Sequence, residues 1–230
     1  MKELMPLTEI KIENLFDKDG ILKAKYLIGS PRGYRFNAST GVLNFLGTQV
    51  LTQPNQPFSF TPIAYRFFED SLFGKDEKAW IEFFFLNESL QMCSLMFHGY
   101  SAQEFKKHYA DYLFYDDLTP CECAFTVTPI QHKNEREKST YYIASFSSKK
   151  ATPETIEAVR VLVETSQPIY RDETLKSSGK HLISQNFKLS ESDAAKTMRM
   201  IDEEKKELEL LREFDNVGMT VSSKKIARAA

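Results

Sequence analysis

The sequence predicts a β-rich α+β fold in which a small five-stranded barrel carries a β extension before it and helices after it. Three observations lead there. Between residues 78 and 146 the pattern changes period twice, from the two-residue alternation of strands to a helical stripe and back again. Across residues 63–146 the elements follow in the order strand, strand, strand, helix, strand, strand. A 42% hydrophobic content over 230 residues is enough to fill a core. This element order is that of an OB-type barrel, whose helix plugs one end between the third and fourth strands.

Residues 1–60 form the expected N-terminal β extension. Short elements carry Ile10, Ile12, Leu15 and Phe16, then Ile21, Leu22, Tyr26 and Ile28, around a turn at Asp17-Lys18-Asp19-Gly20. Tyr34 and Phe36 face Val42, Leu43 and Phe45 across a hairpin whose Gly41 supplies the unusual backbone angle. Residues 48–57 hold two prolines and cannot be a central strand, because proline lacks the N–H the ladder needs. They are expected as an exposed connection.

The barrel and the helix after it occupy residues 61–166. Strand one alternates Ile63, Tyr65 and Phe67 with Ala64, Arg66 and Phe68. In strand two, Ala79, Ile81, Phe83 and Phe85 are wholly apolar and take the interior, leaving Trp80, Glu82 and Phe84 outside. After a turn at Asn87-Glu88-Ser89, strand three puts Cys93, Leu95 and Phe97 inside and Met92, Ser94, Met96 and His98 outside. Ser101, with Glu104 three residues on, reads as a capping box that opens a helix with Phe105, Tyr109, Tyr112 and Leu113 on one stripe. Asp116-Asp117 and Pro120 end it. Alternation returns in Cys121, Cys123, Phe125 and Val127, and in Tyr141, Ile143 and Ser145.

Thr152-Pro153-Glu154 starts a further helix with Ile156, Val159 and Val163 on its apolar stripe. Residues 167–189 read as a linker. Residues 190–216 read as an amphipathic helix whose narrow seam, Met198, Ile201, Leu208 and Leu211, suits self-association or a second protein, the alternative being a clasp along the barrel. Residues 217–230 are small and basic and read as a mobile tail.

A formal net charge of −2 excludes a uniformly basic nucleic-acid binder, so any phosphate contact must come from a local patch. Three cysteines, an odd number, point to a reduced cytoplasmic setting, and Cys93, Cys121 and Cys123 read as core residues with no disulfide. No apolar run approaches a membrane span, and no membrane partner is expected. His98, His108, His132 and His181 are scattered, no nucleophile stands in a catalytic frame, and the nine glycines form no phosphate-cradling loop. The sequence therefore predicts no enzyme, no metal and no cofactor.

The positive signal is aromatic and basic material on the expected outer surface. Trp80 and Phe84 on strand two, Arg66 and His98 beside them, and Tyr34 and Phe36 from the hairpin would form a platform on which bases stack. Lys133, Arg136 and Lys138, in the loop between strands four and five, would hold phosphates. The paired strands KAWIEFFFLN and QMCSLMFHGY, and the charged loop before STYYIASF, resemble the OB-fold core of single-stranded DNA-binding proteins, particularly those of bacteriophages. That resemblance implies sequence-tolerant binding of single-stranded DNA in replication or recombination, in host cytoplasm if phage-encoded, with residues 190–216 free to engage another copy or a replication protein. The alternative expectation is a structural or assembly protein that uses the same barrel to bind protein.

Overall fold

The computed structural model describes residues 4–25, 30–72, 77–134, 139–165 and 180–186. They form ten strands, which are β1 (Arg32–Asn37), β2 (Val42–Phe45), β3 (Gln49–Val50), β4 (Phe58–Phe60), β5 (Ala64–Asp70), β6 (Lys78–Leu86), β7 (Met92–His98), β8 (Cys123–Asn134), β9 (Ser139–Lys150) and β10 (Lys180–Gln185). Three α-helices join them, α1 (Ile12–Leu15), α2 (Tyr100–His108) and α3 (Pro153–Thr165). The class is β-rich α+β, as the alternation predicts.

The strands divide into two sheets. The larger runs β10-β5-β6-β7-β1-β2-β3 and the smaller β4-β8-β9. The predicted strands one to five are all present as β5, β6, β7, β8 and β9, with a helix between the third and fourth. They do not close a barrel, because among the described residues β8 pairs with β4 and β9, and neither β8 nor β9 pairs with β5 or β7. Six phenylalanines bridge the sheets instead. Phe83 of β6 and Phe97 of β7 meet Phe60, Phe125 and Phe146 of the small sheet, and Phe105 of α2 lies 4.9 Å from Phe83 and 5.3 Å from Phe146. Rings at these separations add edge-to-face attraction to the area they bury.

The hairpin of β1 and β2 is not a separate ribbon. β1 pairs with β2 on one side and parallel to β7 on the other, with Arg32 opposite Cys93 and Tyr34 opposite Leu95. Gly41 has φ +69°, as its turn requires, and a methyl group there would lie 2.5 Å from the Tyr142 ring. The turn is thus pressed against β9, whose Tyr142 N–H donates to the Ala38 carbonyl at 2.7 Å. Residues 48–57 hold only the two-residue edge strand β3, which is exposed.

Other expectations are corrected. Ser101 is not a cap. Gly99 holds the N-cap position of α2 without a side-chain bond, and the Ser101 hydroxyl accepts the Ala144 N–H at 3.0 Å, occupying a donor on the free edge of β9. The stretch expected to be a linker contains β10, which pairs antiparallel with β5. Helix α3 buries Thr155, Ala158, Val159 and Leu162, and Thr155 accepts the Ile10 N–H, so α3 packs on the N-terminal residues. The predicted helix 190–216 and tail 217–230 lie outside the described residues. Among the described residues no helix is long and apolar enough to cross a membrane.

Candidate interaction site

The expected platform lies in the interior. Trp80 is 2% exposed, Phe84 0% and Tyr34 5%. A strand in the middle of a sheet covered on both faces reads as an almost continuous apolar run, and AWIEFFFL is such a run. Trp80, Phe84, Arg66 and His98 are indeed brought together on one face of β5–β7, where Trp80 is the cross-strand partner of both Phe68 and His98. The Trp80 and His98 rings are 4.7 Å apart, and the Trp80 indole N–H donates to the Asp70 carbonyl. His98 is half-buried. Tyr34 and Phe36 belong to the opposite face. The Tyr34 ring packs on Phe45 and Phe85 and its hydroxyl donates to the Leu4 carbonyl, while half-buried Phe36 sits against Phe97. No ring face of Trp80, Phe84 or Tyr34 is open to a base.

Arg66 does not face solvent either. Its Nε donates to Glu82 at 2.8 Å, both side chains are buried, and the guanidinium lies 4.1 Å over the Phe68 ring. The two residues are cross-strand partners, so the ion pair fixes the β5–β6 register. The signal for burial is an opposite charge on each of two neighbouring apolar strands. Read strand by strand, it is invisible.

The three cysteines are buried and reduced. Burial pushes the Cys93 thiol up to about 12 and the Cys123 thiol up to about 11, and raises Cys121 further, so none is a thiolate at neutral pH. Among the described residues no group of three or more His, Cys, Asp or Glu could hold a metal ion.

Among the described residues, two of the outward-facing surfaces carry grouped rings. The first is the arm of β8 and β9. These strands pair from Cys123 with Lys150 to Asn134 with Ser139, whereas β4 covers only Phe125–Val127. The outer half is therefore a two-stranded ribbon. It carries exposed Lys133 and a stacked pair, His132 and Tyr141, with centroids 5.6 Å apart. Arg136 and Lys138, expected beside Lys133, lie outside the described residues.

The second surface comes after α2, and the pattern of the sequence does not predict it. The chain widens into a π-helical turn over Tyr109–Leu113, closed by the Phe114 N–H donating to the Tyr109 carbonyl. One additional residue in a turn rotates every later side chain about the helix axis. Phe105 and His108 of α2 face the core, and the rotation brings Leu113 to the same side and turns Tyr112 out. Tyr112 is 60% exposed, Phe114 64% and Tyr115 78%. Asp117, at φ +50°, ends the segment. Residues 109–117 also contain Asp111, Asp116 and Asp117 and no Lys or Arg.

Beneath this turn the His108 Nε2 is 2.8 Å from the Ser148 hydroxyl and its ring lies 5.0 Å from Tyr112. Burial holds the imidazole below its ordinary range, partly opposed by the nearby Asp111 carboxylate. A neutral His108 thus seats the turn on β9. The signal in the sequence is the crowding of rings at Tyr109, Tyr112, Phe114 and Tyr115, more than one helix face can bury. No family model matches the chain, and no curated protein or solved structure matches it.

Proposed function

We propose that this is a non-enzymatic structural or assembly protein that binds another protein through the aromatic, acidic turn of residues 109–117. One observation carries the reading: Tyr112, Phe114 and Tyr115 are exposed together on a turn anchored by buried Phe105, His108 and Leu113. Aromatic side chains concentrate binding energy at protein interfaces, and a turn already seated on the core has little order left to lose on association. The three aspartates favour a protein over a nucleic acid, since phosphates would meet carboxylates there. The element order of β5, β6, β7, α2, β8 and β9 supports reading the fold as an OB-type arrangement opened into two sheets.

A photo-crosslinking residue at position 115, used in an extract of the source cells, tests this. The expected result is one discrete protein adduct that disappears when Tyr112 and Phe114 are serine. A nucleic-acid adduct, or protein adducts indifferent to those substitutions, would overturn it.

A second reading, single-stranded DNA binding in replication or recombination, is favoured by the β8–β9 arm with Lys133 and the His132–Tyr141 stack. Titration of labelled oligo-dT at two salt concentrations tests it. Saturable binding that weakens with salt, and a shallower salt slope for Lys133→Ala, would support DNA binding over assembly.

A further inference from the structure

We infer that the turn of residues 109–117 takes an arginine-bearing segment of its partner, with the guanidinium lying on the exposed rings and paired with the flanking carboxylates. This rests on the protein-binding reading above and names the chemistry of the occupant. The rings come first. Phe114 and Tyr115 stand with centroids 5.6 Å apart and planes 80° to one another, and both side chains are largely exposed. A planar cation on a ring face is attracted by the ring quadrupole, and arginine suits it better than lysine because guanidinium is flat and weakly hydrated.

Charge selects in the same direction. Asp116 and Asp117 directly follow these rings and both are exposed. The ion pairs of the described residues, among them Arg66 with Glu82 and Arg160 with Glu157 and Glu164, do not include Asp116 or Asp117, so neither aspartate is neutralised by a cation of the described fold. Asp111 acts partly on His108 and contributes less. An uncharged apolar partner would have to dehydrate two carboxylates at the rim without compensation. An acidic partner would be repelled. A guanidinium satisfies rings and carboxylates at once, with bidentate hydrogen bonds to a carboxylate.

The test uses the full chain and four acetylated, amidated peptides of equal length, alternating glycine with arginine, lysine, glutamate or leucine, titrated by calorimetry. The expected result is saturable binding of the arginine peptide, several-fold weaker binding of the lysine peptide, and none of the glutamate peptide. Phe114→Ser with Tyr115→Ser should weaken the arginine peptide about tenfold or more. Asp116→Asn with Asp117→Asn should weaken it and flatten its salt dependence. Circular dichroism and melting of each variant check that the fold is kept. If the leucine peptide binds as tightly as the arginine peptide and the ring substitutions abolish both, the inference is overturned and the protein-binding reading stands. If the arginine peptide does not bind, or binds the ring-substituted chain as well as the original, the inference is overturned whatever the crosslink at position 115 reports.

Discussion

Strand β6 and the turn after α2 each hold four aromatic rings, and they put them to opposite uses. In KAWIEFFFL the rings are Trp80, Phe83, Phe84 and Phe85, all buried. In YADYLFY they are Tyr109, Tyr112, Phe114 and Tyr115, and three of the four are largely exposed. Ring content does not separate the two. Their charges do. Glu82, the single charge among the rings of β6, is met by Arg66 on the neighbouring strand, whereas Asp111, Asp116 and Asp117 are exposed to water and hold their segment at the surface. An aromatic-rich stretch goes inside when its charges can be matched inside.

The largest expected effect is at the centre of the buried set. Phe83→Ala removes a ring that meets Phe60, Phe97, Phe105, Phe125 and Phe146, and should cost about 3–5 kcal/mol of stability, read as a lower urea midpoint. Trp80→Ala should fall in the same range. A Trp80→Ala chain as stable as the original, yet weakened in oligo-dT binding, would return the platform to the surface and erase the difference between the two segments.

Next comes the matched charge. Glu82→Ala leaves the Arg66 guanidinium buried without its carboxylate and should cost about 3–5 kcal/mol, while the double change Arg66→Met with Glu82→Leu should recover most of that loss. If both variants melt alike, the pair is not what admits β6 to the interior.

His108 gives a smaller, pH-dependent effect at the seam between the two environments. Its folded-state value lies below the ordinary 6.5, so the unfolded chain binds more protons in the interval between them and stability rises with pH there. The contribution is complete above pH 6.5 and is lost as pH falls below it towards the folded value. Denaturant melts between about pH 5 and pH 7.5 should show this slope, and His108→Gln should flatten it. Glu122, held below its usual value by Thr119, loses its contribution only under more acidic conditions, as pH falls through and below the ordinary carboxylate range. An unchanged slope in His108→Gln would remove this residue as the titrating support of the turn.

The smallest effect on stability belongs to the exposed ring. Tyr115→Ser should change stability by no more than about 0.5 kcal/mol, because solvent already reaches most of the side chain. A larger loss would mean that the turn is part of the core, and the contrast with β6 would disappear.

The five strands, α3 and the Gly41 hairpin are all legible in the sequence, because each is marked by a local period, a helix-start proline or a turn residue. The features that escape such reading depend on neighbours far along the chain. Alternation in β6 identifies the better interior face but cannot say whether the other face is covered. Ser101 fits a capping box by spacing, yet its hydroxyl is engaged by Ala144 on a later strand. The π turn breaks the assumption of a constant helical period, which is why a regular stripe places Tyr112 on the buried side and the structure does not.

The parallel pairing of β1 with β7 also sets an order of events during synthesis. β1 and β2 emerge early and can close their hairpin at once, since its contacts are local. The other edge of β1 then waits until Cys93, Ser94 and Leu95 have been made and the β5–β7 meander has formed. Closing so long a loop is slow, and meanwhile that edge is open to any strand that meets it. In a cell this edge of β1 is therefore exposed on the nascent chain until β7 is complete, and slowing translation between β2 and β7 should raise aggregation.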